Sequence, residues 1–106
     1  FGVPKDDSLA VEWYQRAADQ EQVAALLSLG TCYYQGAGVP QDITQAVELY
    51  EKAANLGSAK AQFLLGHCYW SGYGVQTDVS LAKYWLARAA EQDSAYNAFV
   101  PLTTKN

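Results

Sequence analysis

With 106 residues, 50% of them hydrophobic and 13% aromatic, the chain has the content of one small folded domain and not of a disordered segment. No apolar run approaches the length that crosses a bilayer, which argues against membrane insertion. A net charge of −4, with only 7 Lys and Arg, offers little to a phosphate backbone, so nucleic acid is a poor partner.

The chain opens on Phe1-Gly2-Val3-Pro4, without an initiator Met or a charged-then-apolar leader, and reads as part of a longer protein. A first helix is expected over roughly Asp7 to Asp19, with Val11, Trp13, Tyr14 and Ala17 as its apolar residues. No hairpin partner precedes it. These side chains should therefore lie bare at the start of the molecule, to be covered by an upstream segment, a second copy or another protein. A second helix carries Ala25, Leu29-Gly30 and Cys32-Tyr33 and stops at the turn Gly36-Ala37-Gly38. Asp42 sits where its side chain caps a third helix, with Gln45 three residues on to complete a capping box. Ala46, Tyr50 and Ala53 follow at helical spacing, and Gly57 supplies the left-handed turn that ends this helix. Ser58 caps a fourth helix over about Ala59 to Ser71, in which Ala61, Leu65, Cys68 and Tyr69 form one stripe. Gly66 lets a neighbouring backbone come close. After Gly72-Tyr73-Gly74 a fifth helix holds Ala82, Trp85 and Ala89-Ala90. Trp13 and Trp85, on equivalent helices, are both read as packing residues. Pro101 then falls where the pattern has Leu, so the last helix should stop early, and the polar Thr103 to Asn106 suits a natural C-terminus.

Self-comparison explains this order. Gly2-Val3-Pro4, Gly38-Val39-Pro40 and Gly74-Val75-Gln76 recur at a spacing of 36, as do Asp6, Asp42 and Asp78, and Ala10, Ala46 and Ala82. The expectation is an all-α solenoid of antiparallel helix hairpins in a single domain, 1–106. Full repeats lie at about 22–57 and 58–93, flanked by half repeats 1–21 and 94–106. In the better-preserved unit Ala61, Leu65-Gly66, Tyr69, Gly72, Gly74-Val75, Asp78, Ala82, Trp85 and Ala89-Ala90 occur in order. This arrangement resembles the Sel-one-like repeat (SLR) family, a branch of the tetratricopeptide-repeat superfamily, from Gly2 to about Ala98. The resemblance implies a right-handed solenoid that serves as a protein–protein scaffold in bacterial envelope, secretion, signalling and host-interaction systems. It also brings an analogy to penicillin binding and β-lactam hydrolysis from cysteine-rich members, but the paired cysteines within each repeat of those proteins are missing here.

A second stripe on the first helix of each hairpin carries the functional expectation. Lys60, Phe63, His67 and Trp70 recur at three- and four-residue steps, with Leu27, Thr31, Tyr34 and Gln35 one repeat earlier and Tyr96 and Phe99 one repeat later. Stacking should align them in rows on the inner, concave side, as an aromatic trough for a peptide or helical segment of a partner protein. The competing reading is that these rings only fill space between successive helices. A structural or oligomerising module using the bare first helix is the alternative function. Catalytic, metal and cofactor sites are not expected. His67 is the only histidine, Cys68 projects about 100° away from it around a helix, and Cys32 with Cys68 fits no zinc spacing. Both cysteines are read as buried small hydrophobes, too far apart on successive helices for a disulfide.

Overall fold

A computed structural model of the chain describes residues 7–99. Its elements are α1 (Asp7–Asp19), α2 (Val23–Gln35), α3 (Ile43–Asn55), α4 (Ala59–Ser71), α5 (Val79–Gln92) and a closing 3₁₀ turn, η1 (Ser94–Phe99). There is no strand among the described residues. Each helix packs on the next one in the chain, α1 on α2 through to η1 on α5, and this serial packing draws the molecule out to 53 × 27 × 23 Å.

The helix starts follow from side-chain chemistry. Asp42 Oδ1 accepts the Gln45 N–H at 3.1 Å, Asp78 Oδ1 accepts the Leu81 N–H at 3.1 Å, and Ser58 Oγ accepts the Ala61 N–H at 3.1 Å. The return bond expected of a capping box is replaced. The Asp42 N–H donates to the Tyr33 carbonyl at 2.8 Å, and one repeat later the Asp78 N–H donates to Tyr69 at 3.0 Å. Each cap is thus tied to its own first turn through its side chain and to the preceding helix through its backbone N–H, which fixes the angle of the hairpin. At the end of α3 the Ser58 N–H reaches Ala53 and the Gly57 N–H reaches Ala54, the paired bonds of a Schellman stop, with Gly57 at φ 102°.

The core is built from small side chains. Ala46, Ala53, Ala61, Ala82 and Ala89 are fully buried around Leu26, Leu29 and Leu65. Gly30 and Gly66 take this further. A Cβ on Gly66 would lie 2.7 Å from Leu86 Cγ and 3.2 Å from the Ala82 carbonyl, and one on Gly30 would lie 2.8 Å from the Tyr50 ring. The second helix of each hairpin therefore sits directly on the backbone of the first. One polar group shares this interior. Gln62, in the register of Leu26, is fully buried, donating to the Ala54 carbonyl at 3.1 Å and accepting from Gln92 Nε2 at 2.8 Å.

The two ends depart from the expected packing. Trp13 is not a packing residue: it is 60% exposed, whereas Leu49 and Trp85 in the same register are 6% and 8% exposed. Leu49 and Trp85 join the core, whereas the Trp13 ring carries the Arg16 guanidinium 5.5 Å from its centroid. Val11, Tyr14 and Ala17, expected to be bare, are half covered and pack against the core, so the apolar surface of α1 reduces to Leu9 and Trp13. At the other end the third first-helix is a 3₁₀ turn. Pro101 and the polar tail themselves lie outside the described residues, as does Asp6.

Two substitutions test this packing. Gly66→Ala gains helix propensity but must displace Leu86, and a net loss of about 1–3 kcal/mol, a fall of roughly 5–15 °C in thermal melts followed by circular dichroism, is expected. Glu21 holds φ 58° at the position that Gly57 occupies one repeat later. Glu21→Gly relieves that conformation and should raise the melting temperature by a few degrees, about 0.5–1 kcal/mol; a lowered Tm would contradict the assignment.

Candidate functional site

Two hollows open on the side of the stack formed by α2 and α4. The first, of about 260 Å3, is lined by Leu27, Ser28, Thr31 and Cys32 of α2, Lys60 of α4 and Tyr14 of α1. The second, of about 350 Å3 and more enclosed, is lined by Phe63, Leu64, His67, Cys68 and Ser71 of α4, with Tyr34, Tyr50 and Tyr73. One repeat step of 36 carries Tyr14, Leu27, Ser28, Thr31 and Cys32 onto Tyr50, Phe63, Leu64, His67 and Cys68. The hollows are thus the same place in successive hairpins. A hydrogen bond stands between them: Thr31 Oγ1, which donates to the Leu27 carbonyl at 3.0 Å, meets the Tyr50 hydroxyl at 3.1 Å, and Thr31 faces the first hollow while Tyr50 faces the second.

Aromatic contacts shape the second hollow. Phe63 is half-buried, with Tyr96 stacked on it at 4.8 Å and His67 meeting it edge-on at 4.6 Å. Tyr34 meets Tyr73 edge-on at 5.5 Å, so a ring from α2 and a ring from the following hairpin's turn close one side. Such pairs hold each ring in one place and add about 0.5–1.5 kcal/mol each beyond area burial.

The sequence-derived residues divide three ways. Leu27, Thr31 and Lys60 line the first hollow; Tyr34, Phe63 and His67 line the second; Tyr96 backs Phe63. Gln35 and Trp70 are exposed but line neither hollow. The Phe99 side chain lies outside the described residues, so the expected row of Leu27, Phe63 and Phe99 is traced only through its first two members. Tyr14, Tyr50 and Tyr73 are the added rings, and Ser28, Cys32, Leu64, Cys68 and Ser71 line the hollows as well. Tyr14 and Tyr50 share one register on the second helices, and only that shared register hints that both border a hollow. Tyr73 had a plainer signal, a large ring between two turn glycines where the previous repeat has Ala37.

Burial governs the titrating groups nearby. It pushes the Cys68 thiol above its ordinary range. It likewise raises the Tyr50 phenol, an effect the Thr31 hydrogen bond partly offsets. Tyr69 is raised by burial and then by Glu51 and Asp78 nearby. Neither cysteine is in a disulfide, and Cys32 is only half-buried, facing the first hollow and not sealed in the core as expected. Among the described residues no three His, Cys, Asp or Glu side chains gather as metal ligands would, and no helix is long and apolar enough to cross a membrane.

Comparison with known proteins gives this arrangement a setting. The Sel1 repeat profile matches residues 1–21, 23–58 and 59–94. A Sel1 repeat protein from Oxalobacter formigenes aligns over 95% of the chain at 36% identity and a TM-score of 0.88, the match covering 42% of that protein. A protective antigen present in uropathogenic Escherichia coli strains, which displays an SLR fold, aligns over 87% at 38% identity and a TM-score of 0.83, covering 20% of that protein. Cysteine-rich protein B of Helicobacter pylori shares the fold, at 21% identity and a TM-score of 0.80 over 84% of this chain and 68% of its own. The chain thus spans about two-fifths and one-fifth of the first two relatives. No individually curated protein gives a significant match.

Two measurements follow from the titrating groups. Cys32 should react with an aromatic disulfide reagent at pH 8 well before Cys68, which should resist until the chain unfolds; equal rates would contradict the burial of Cys68. Because the folded-state values of Cys68 and Tyr50 are raised, the stability they confer is complete below the unfolded-state values and is lost as pH climbs through the folded ones. Denaturant midpoints should be flat near neutrality and fall on the alkaline side of about pH 9.

Proposed function

Because the chain belongs to the Sel1 repeat family, whose members are in general protein-interaction scaffolds, we propose that it acts as an adaptor that docks a peptide or helical segment of a partner protein in the groove along α2 and α4. The observation that carries this reading is the aromatic hollow around Phe63. Tyr34, Tyr73, Phe63 and His67 are held in place by ring contacts yet leave about 350 Å3 of recess among them. Rings fixed in advance lose little rotamer freedom when an apolar side chain enters, so more of the contact energy appears as affinity. Recesses of this size and lining are where binding energy concentrates.

The geometry refines the sequence expectation. The rings do pack between successive helices, as the competing view holds, but Phe63 keeps a face toward the hollow and Tyr34 is exposed along its rim. Packing and docking are compatible here, since the stack supplies rigid walls and the periodic offset supplies the gap. Trp70, at the same register as Tyr34, stands outside both hollows.

A second reading, self-association, is favoured by the exposure of Trp13 on the outer side of α1. Sedimentation velocity across a hundredfold concentration range separates it from docking: a monomer throughout removes it. For docking, segments selected from a random peptide display library should bind the wild-type chain. Tyr34→Ala and Phe63→Ala should each weaken them by about 1–3 kcal/mol by calorimetry, with far-UV spectra unchanged, and Trp70→Ala by less than about 0.5 kcal/mol. Unchanged affinity in the Tyr34→Ala, Phe63→Ala double variant would refute the groove.

A further inference from the structure

The two hollows occupy one place in successive hairpins, but their chemistry has separated. Where the first presents the Ser28 hydroxyl, the second presents Leu64; where the first has Leu27, the second has Phe63. The sharpest divergence is at Lys60, which lines the first hollow, while its equivalent Tyr96 lies stacked on Phe63 beside the second. In a chain with 11 Asp and Glu, no carboxylate lines either hollow among the described residues. An ammonium group thus faces a recess with hydroxyls around it, next to a recess walled by rings.

Building on the docking reading above, we infer that the occupant is an extended protein segment carrying an acidic side chain close to an aromatic or large aliphatic one. The carboxylate enters the first hollow against Lys60 and Ser28, and the apolar anchor enters the second among Phe63, Tyr34 and Tyr73. Charge complementarity favours this choice over a basic or purely apolar segment. A basic group would meet the Lys60 ammonium, and a purely apolar one would strip water from it without return. Spacing agrees as well. Lys60 and Phe63 stand three residues apart on α4, neighbours one turn apart on the helix surface, so a few residues of extended chain reach from one to the other. The Thr31–Tyr50 hydrogen bond is the sill the segment crosses between its two anchors. Because Lys60 is exposed, its charge sorts ligands more than it strengthens them.

The test uses a random dodecapeptide display library panned on the immobilised chain and on its Lys60→Glu variant. Lys60 is on the surface, so the variant should fold as the wild type does. The wild type should enrich sequences with Asp or Glu two to four residues from Phe, Trp, Tyr or Leu, and replacing that acid by Lys should weaken the peptide about tenfold in fluorescence polarisation. The Lys60→Glu variant should reverse the preference, enriching Lys or Arg at the same spacing from an unchanged apolar anchor. Enrichment of apolar anchors with no charge bias, the same in both proteins, would overturn this inference while leaving groove docking in place. Failure of the wild type to enrich any sequence would overturn docking as well.

Discussion

The closeness of Gly66 to Leu86, and of Gly30 to the ring of Tyr50, is the constraint from which the remaining architecture follows. A side chain at either glycine would stand less than 3 Å from its neighbour. With the alanines at 46, 53, 61, 82 and 89, these contacts bring helix backbones near one another and leave few large side chains between them. Such a stack is stabilised by many small burials and not by a single central core. That is why the molecule is long for its residue count, and why rings such as Phe63, Tyr34 and Tyr73 stand nearer its edges, where they can form walls.

Local chemistry supplies what close packing lacks. The backbone bonds from Asp42 to Tyr33 and from Asp78 to Tyr69 set the turn of each hairpin, so the same residue both caps one helix and anchors it to the previous one. Gln62 performs a related task inside. Its amide links the Ala54 carbonyl to Gln92, joining three consecutive helices at a point where the preceding repeat has Leu26. A buried amide with both ends bonded adds little net stability but penalises any register that would break the pair.

Much of this was legible in the sequence because the period of 36 converts residue identity into geometry. Asp42, Ser58 and Gly57 announced helix starts and stops within a residue, and Gly66 announced close approach. What periodicity conceals is how far each equivalent position is covered. Trp13 shares its register with Leu49 and Trp85, yet it is exposed where these two join the core. The site was half legible for the same reason. Helical spacing put Leu27, Thr31, Phe63 and His67 on one face, but it could not say that Trp70 would miss the recess while Tyr73, from a turn, would wall it. Nor could it show that Tyr14 and Tyr50, from the second helices, would border the hollows.

Repetition also explains how one backbone holds two different recesses. At the first, Thr31 and Tyr50 contribute hydroxyls that bond across the gap at 3.1 Å. One period on, the same two positions are His67 and Leu86. Leu86 has no polar atom to meet an imidazole, and the His67 ring turns edge-on to Phe63 at 4.6 Å. The hydroxyl pair that stands between the first two sites is therefore not repeated at His67 and Leu86. The exchange of Leu27 for Phe63 and of Ser28 for Leu64, neither of them among the glycines and alanines of the close helix contacts, distinguishes the ring-lined recess from the hydroxyl-lined one. Because the small residues fix the backbone, this divergence leaves the close helix contacts intact, and the recesses are free to differ in what they accept.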